Sequence, residues 1–277
     1  MNIKVLDLSE HNGEINFEKV KKAGIDTIIL RIGWIGNKEN HTLDKKFNEY
    51  YKQARLYNFK IGYYVYSYCL NTKAIESGAR WAEKQIINKQ VDLPIFIDME
   101  DQTLYKLSDT ELTNHVVKFC EYFKSNGYKA GVYASKYWFT SKFEWKRIEK
   151  YYIWLAEWNK KTSHTFKNKV NIWQYTSDGH VDGIKTRVDM NIYYNYEEQT
   201  ENKKKDEDFE MVKIYENGST TETVYADSSC SMIIGSLNKY EKCECLGVKN
   251  GRYIVRYKID GTNNYKVGFV KYNGGIK

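Results

Sequence analysis

The chain has 277 residues, 42% of them apolar and 16% aromatic, with a formal net charge of +7. That composition excludes a disordered chain, and the length suits one large domain or a large one followed by a small one. No stretch approaches the roughly 20 apolar residues of a membrane span, so stable membrane insertion is not expected.

From the N-terminus, short β-rich runs alternate with helical periodicity. Strands are expected at Ile3–Asp7, Thr27–Ile32, Lys60–Tyr68, Pro94–Glu100, Lys129–Ala134, Tyr152–Trp158 and Val170–Tyr175, with an eighth inside Arg187–Asn191. Helical patterns fill Phe17–Ala23, Asp44–Tyr57, Lys73–Ile87, Asp109–Ser125 and Lys136–Glu149. Ser108 followed by Glu111 reads as a capping box. Strand–helix repetition over residues 1–196 predicts an α/β fold with a parallel sheet, and eight strands favour a closed barrel. Fewer helices in the last third point to an irregular closure. The segment 197–208, EEQTENKKKDED, carries three positive and six negative residues and no apolar one. It reads as a solvated linker, or as the polar end of a helix. Residues 209–277 hold short β-rich runs separated by Asn217-Gly218, Asn250-Gly251 and Asp260-Gly261, the pattern of a small all-β barrel. This part is net +3 and residues 1–196 are net +7. Such a balance suits an anionic partner, and no nucleic-acid-binding motif singles out DNA or RNA.

The strongest chemical signal is Leu93-Pro94-Ile95-Phe96-Ile97-Asp98-Met99-Glu100. Its apolar run reads as a buried parallel strand, and residues two apart share a face. Asp98 and Glu100 therefore point together from the C-terminal end of a core strand, where βα barrels place their chemistry. Like charges held together raise at least one pKa, which a glycosidase uses to keep one carboxyl protonated beside an ionised partner. Seen alone, the pair could equally cap the strand and bind neighbouring lysines. Asp7 ends the first expected strand and Asp189 sits in the last, so a closed barrel would gather four acids at one mouth, and a stability cost of that kind favours function.

Aromatics flank the same strand ends. Tyr64, Tyr66 and Tyr68 alternate onto one face, and Tyr133, Trp154, Trp158, Trp173 and Tyr175 occupy comparable places later. Tyrosine and tryptophan suit flat, partly polar ligands such as sugars, and inward-facing rings suit a packed barrel core equally well. Gln174 can hydrogen-bond a sugar amide or hydroxyl. The five histidines show no metal-ligand spacing, and there is no phosphate loop and no serine or cysteine nucleophile signature, so neither metal nor cofactor is expected. The five cysteines are odd in number and lack zinc spacing, which predicts free thiols. The start, MNIKVLDLSEHNG, has no apolar run of signal-peptide length, so synthesis in the cytoplasm is expected, with release to any external target by another route.

Taken together these residues resemble the lysozymes of glycoside hydrolase family 25 over about residues 3–195. Asp7-x-Ser9-x-x-x-Gly13-x-Ile15 looks like the opening motif; Asp44, Phe47 and Asn48 fit the next helix start. Gly62-x-Tyr64-x-Tyr66, Asp98-x-Glu100, Gly131-Val132-Tyr133, Ile172-Trp173-Gln174-Tyr175 and Asp189 follow in order. The resemblance implies an irregular TIM-like βα barrel. It also implies hydrolysis of the β-1,4 bond from N-acetylmuramic acid to N-acetylglucosamine in peptidoglycan. Glu100 would be the general acid, Asp98 would assist the reacting sugar, and Asp7 and Asp189 would line the site. Arg31, Tyr64, Tyr66, Tyr133, Trp154, Trp158, Gln174 and Tyr175 would contact substrate. Whether Asp98 bonds to carbon or steers the substrate's 2-acetamido group stays open. The chain departs from the family pattern at Gly33-Trp34, where a Ser/Thr-Glu-Gly sequence is common, and at Val65, often a histidine. Residues 209–277, ending Val267-Gly268-Phe269-Val270-Lys271-Tyr272, resemble bacterial SH3-like wall-binding domains. The expected roles are a phage endolysin or an autolysin. The alternative is a non-catalytic wall-binding or adhesion protein on the same scaffold.

Overall fold

The computed structural model describes residues 2–158, 169–194, 213–249, 252–258, 265–271 and 275–276. The chain divides into two compact units, Met1–Thr200 and Glu201–Lys277. The charged segment 197–208, the turns at 250–251 and 260–261, and Tyr272 lie outside the described residues.

In the first unit the order is β1 (Ile3–Leu8), α1 (Phe17–Lys22), β2 (Thr27–Ile35), β3 (Thr42–Leu43), α2 (Phe47–Leu56), β4 (Lys60–Ser67) and α3 (Thr72–Ile86). Then come β5 (Ile95–Asp98), α4 (Asp109–Ser125), β6 (Ala130–Ser135), α5 (Lys136–Ser141), α6 (Trp145–Ile148), β7 (Tyr152–Ala156), β8 (Ile172–Gly179) and β9 (Val188–Tyr193). Side-chain chemistry sets several of these limits. Ser108 and Glu111 form the expected reciprocal cap on α4. α2 begins at Phe47, after Asp44, because the Asp44 carboxylate accepts the Lys46 N–H at 2.8 Å and the Arg31 Nε–H at 2.7 Å. The single helix expected over 136–149 is two short ones, and the break between them turns Phe143 into the core beside Trp138 and Phe139.

Strands β1, β2, β4, β5, β6, β7 and β8 are parallel neighbours, and β9 closes the barrel between β8 and β1. β9 is antiparallel to both neighbours, and this reversal is where the closure of the otherwise parallel barrel is irregular. Residues 180–187 are too few for a crossover, which needs a dozen or more; they suffice for a hairpin.

Alternation along each strand divides the apolar residues between two cores. Leu6, Ile28, Leu30, Ile61, Tyr63, Ile95, Ile97, Val132 and Leu155 face the helices. Val5, Ile29, Tyr64, Phe96, Tyr133, Trp154, Ile172 and Tyr193 fill the barrel. Both faces of the parallel strands are buried, which explains their near-continuous apolar runs. Large inner rings need bare backbone opposite them. A Cβ on Gly131 would lie 2.7 Å from both Phe96 Cε1 and Tyr152 Cβ.

In the second unit, β10 (Lys213–Glu216), β11 (Glu222–Tyr225), β12 (Ile233–Leu237), β13 (Lys242–Lys249), β14 (Arg252–Lys258), β15 (Tyr265–Val270) and β16 (Gly275–Ile276) form one antiparallel sheet. The strand order is β12-β11-β15-β14-β13-β10-β16. Its core is Tyr215, Val224, Leu237, Cys243, Val255, Tyr257 and Val270. All five cysteines of the chain are free thiols.

Overpacking predicts a cost for Gly131→Ala of about 1–3 kcal/mol. Thermal unfolding should show a drop of roughly 2–4 °C per kcal/mol in the transition of the first unit. An unchanged midpoint would contradict the close ring–backbone contact.

Candidate active site

The register places the expected acids together. Asp98, the last residue of β5, pairs laterally with Tyr66 of β4 and Tyr133 of β6. Strand β5 ends there, two residues short of the expected Glu100. The Met99 N–H still donates to Tyr133 O at 3.0 Å, which preserves the direction of the chain for one more residue. Glu100 then stands exposed at the mouth, while Asp98 is buried beneath it. Asp7 and Asp189 lie opposite each other in the β1–β9 ladder. Both belong to the inward set of their strands, with Val5 on β1 and Tyr193 on β9.

Low dielectric and mutual repulsion govern these carboxyls. Burial pushes Asp98 well above the usual carboxylate range; the neighbouring Glu100 and Asp7 push it further, Arg31 pulls back, and Asp189 adds to the rise. Asp98 Oδ1 is buried without a hydrogen-bond partner among the described residues. Glu100 is also raised, first by the protein packed around it; a hydrogen bond from Tyr133 opposes the rise, and Asp189 and Asp101 reinforce it. Burial, then Asp189, raises Asp7 strongly, against hydrogen bonds from Asn191 and Gln174. Burial raises Asp189 too, and its hydrogen bond with Asp7 counteracts this.

The expected substrate contacts divide by location. Tyr64 is buried in the ring beside the acids, and Tyr66 donates its hydroxyl to Asp101 Oδ2 at 3.1 Å. The Tyr133 hydroxyl lies 3.1 Å from Gln174 Oε1 and also hydrogen-bonds Glu100. Trp158 is 62% exposed, and its indole N–H donates to Gln174 Oε1 at 3.0 Å. Arg31 is buried, and its guanidinium is committed to Asp44 at 2.7 Å and Glu10 at 3.3 Å. Trp154 lies under the mouth, its ring 4.8 Å from Tyr133 and 5.2 Å from Phe96. Tyr175 has the opposite parity to Gln174 and packs on the outer core, so it is not brought to the acids. Sequence reasoning missed Asn191, fully buried, whose Nδ2 donates to Asp7 Oδ2 at 2.7 Å. Its signal was available: two residues from Asp189, it shares that residue's face. Also missed were Glu10 and Asp44 as the partners of Arg31, because ion pairing across strands leaves no local pattern.

Among the described residues, no group of three or more His, Cys, Asp and Glu side chains could hold a metal ion. A cavity of about 660 Å³ beside α1 and α2 is lined by Phe17, Lys19, Tyr57 and Asp182. It lies apart from the chemistry, since none of the four acids contributes to it.

Carboxyls with pKa values driven upward, at the C-terminal mouth of a βα barrel, are the equipment of an acid-catalysed glycosidase. The chain belongs to glycosyl hydrolases family 25, whose family model matches residues 6–184, and it is a glycosidase of the lysozyme type. It is 24% identical over 192 residues to the autolytic lysozyme of Clostridium acetobutylicum, covering 69% of this chain and 56% of that protein. The modular autolysin LytC of Streptococcus pneumoniae matches with a TM-score of 0.62 and 25% identity, over 70% of this chain and 47% of LytC. The chain thus spans about half the length of these two relatives. The spore cortex lytic enzyme SleM of Clostridium perfringens shares the fold over 97% of both chains, with a TM-score of 0.63 and 18% identity.

The raised acids carry a stability signature. A carboxyl whose folded pKa lies above its unfolded value, about 3.9 for aspartate, binds its proton more tightly when folded. Its stabilising contribution is present below the unfolded value and is lost as pH rises toward the folded one. Asp98→Asn should therefore raise the melting temperature at neutral pH and flatten the fall in stability from about pH 4 upward. A steeper fall in the variant would reverse the sign assigned to Asp98.

Proposed function

We propose that this protein is a peptidoglycan hydrolase, a lysozyme that cuts the β-1,4 bond from N-acetylmuramic acid to N-acetylglucosamine. The observation that carries the reading is the pair at the end of β5: an accessible Glu100 with a raised pKa above a buried Asp98, one oxygen of which has no partner among the described residues. Support for the substrate comes from the family and from LytC, which has been solved in complex with a synthetic peptidoglycan ligand.

In this reading the Glu100 carboxyl gives its proton to the glycosidic oxygen as the bond to the anomeric carbon breaks. Positive charge develops on the sugar ring, and the carboxyl cluster below stabilises it. Before substrate binds, burial disfavours the ionised form of Asp98. A 2-acetamido N–H donating to Asp98 Oδ1, followed by the developing positive charge, favours the ionised form of Asp98 and leaves the proton for Glu100. Glu100 then takes a proton from water, whose oxygen completes the new hemiacetal. Tyr64, Tyr66, Tyr133 and Gln174 line the acid cluster, and the exposed Trp158 offers a face for a sugar ring. Arg31 acts through charge, restraining the rise of Asp98.

Residues 209–277 are read as an SH3-like wall-binding module. The strand order supports this: a β13–β14–β15 meander, with β10 set between β13 and the terminal β16. Tethering the barrel to its wall raises the effective substrate concentration. Lysis of a bacterial wall is the proposed role, at the end of a phage cycle as an endolysin or in wall turnover as an autolysin.

Glu100→Gln should lower the rate of wall clearing by about 10²–10⁴-fold without altering the fold. A turbidity assay on Gram-positive walls measures this, and equal clearing by both proteins would remove Glu100 from the acid role. New reducing ends should appear on muramic acid; ends on glucosamine would reassign the bond. For the second unit, the inactive Glu100→Gln chain should sediment with walls, and the same chain lacking residues 209–277 should stay largely in solution. Equal sedimentation would end the tethering role.

A further inference from the structure

Strand β2 holds one more residue than β4 between two paired positions: Arg31 lies beside Tyr64, and Gly33 beside Val65. A bulge of this kind inverts the parity of every residue after it. Arg31 shares the inward face with Ile29 and Tyr64, so unbroken alternation would turn Gly33 into the barrel and Trp34 out toward the helices. Ile32 takes up the bulge and is buried in the outer core, and Trp34 instead stands beside the inward Tyr66. Gly33 permits this, because a Cβ there would collide with the Thr42 carbonyl of β3. The Trp34 ring centroid lies 5.6 Å from the Arg31 guanidinium carbon, and the indole is only half-buried. Gly33-Trp34 is also where the sequence departs from the family pattern.

Two more rings continue this side of the mouth. Those of Tyr66 and Tyr68 are 4.9 Å apart, and Tyr68 is 40% exposed. The Tyr68 N–H donates to Ile35 O at 2.8 Å, which extends the β2–β4 ladder by one residue. Asn37 then clamps the chain, donating from Nδ2 to Tyr68 O at 3.3 Å and accepting the Leu70 N–H at 2.9 Å. Asp101 accepts the Tyr66 hydroxyl on Oδ2, while Thr103 occupies its Oδ1. Asp101, Arg31, Asp98 and Glu100 all act on the Tyr68 hydroxyl, which sets that ring beside the acids.

We infer that Trp34 is a substrate-binding residue: with Tyr66 and Tyr68 it forms a platform on which the apolar face of an N-acetylglucosamine ring stacks, next to the sugar whose bond is cut. Half-exposed indole and phenol rings beside hydrogen-bonding carboxylates suit the two sides of a sugar, C–H groups on the ring and hydroxyls at the edge. The charge here narrows the choice of sugar. Asp98, Glu100 and Asp101 disfavour an anionic substituent, so a ring without the lactyl carboxylate of muramic acid fits better. In an alternating glycan both neighbours of a muramic acid are N-acetylglucosamine; the platform's place in turnover thus rests on the lysozyme reading. β2 stands four strands from β7 in either direction round the barrel. The acids therefore lie between this platform and Trp158, which follows β7, and the glycan strand crosses the mouth from one to the other.

The test is calorimetric binding of the N-acetylglucosamine trimer to the full chain, beside wall-clearing kinetics. Trp34→Ala should weaken trimer binding about tenfold, and Trp34→Phe, which keeps a ring, by less. Tyr68→Ala alters an exposed side chain and should weaken binding in the same direction, which keeps the test open if Trp34→Ala does not fold. On walls, Trp34→Ala should clear slowly at low wall concentration and approach the wild-type rate at saturation, with an unchanged pH profile. Unaltered trimer affinity in Trp34→Ala and Tyr68→Ala, or no trimer binding by the wild type, overturns the platform. A shifted pH profile with unaltered trimer affinity also overturns it, since Trp34 would then serve only to cover Arg31. Trimer binding that depends on Trp34, with no clearing of any wall, would sink the lysozyme reading and leave the platform standing.

Discussion

Four carboxyl groups share one low-dielectric mouth, and the arginine beside them is already held by Asp44 and Glu10. Burial and mutual repulsion in that setting drive the pKa values of all four upward. The whole upper layer of the barrel is organised around this fact. Amides donate to Asp7, a phenol hydrogen-bonds Glu100, and one oxygen of Asp98 has no hydrogen-bond partner among the described residues. A site assembled for stability alone would not leave a buried carboxylate oxygen unsatisfied, because each such group costs about 1–3 kcal/mol. The cost makes sense where an incoming N–H or a cationic sugar supplies what the protein withholds.

Below the acids, the interior is a plug of rings: Phe96, Tyr64, Tyr133 and Trp154 meet edge-to-face, with centroids 4.8–5.8 Å apart. The plug excludes water from the underside of the carboxyls and so creates the low dielectric that perturbs them. Trp154 belongs to both layers, as packing for the plug and as donor to Asn191. Structure and chemistry are therefore not separable at this position. Removing the ring would open a cavity and release the amide at once.

Much of this was legible in the sequence. The apolar run ending at Asp98, the alternation of Tyr64 and Tyr66, and the order of strands and helices all follow from local periodicity. Parity along a strand placed Asp98 and Glu100 together without further information. Other features depended on contacts between distant segments. The antiparallel run of β9 follows from its short link to β8 and from pairing with β1, more than 180 residues away. Parity also argued against Tyr175 as a substrate contact, since its neighbour Gln174 faces inward, but a list of aromatic residues near a strand end does not encode direction. That Trp154 and Arg31 would be occupied by Asn191 and by Asp44 with Glu10 could not be seen, because each pairing joins strands that meet only in three dimensions.

The reversed final strand ties the site to its hairpin. Asp189, Asn191 and Tyr193 point inward because β9 pairs with β1 in one particular register, and a slip by a single residue would present Met190 and Ile192 to the barrel interior instead. Irregularities near Thr176 and Gly179 already absorb spare length on β8. Insertions or deletions between Gly179 and Val188 are thus tolerable only where the ladder can take up the difference. Variation in this loop is filtered for frame as well as for fold, and natural diversity there should come in lengths that keep the same three side chains turned into the barrel.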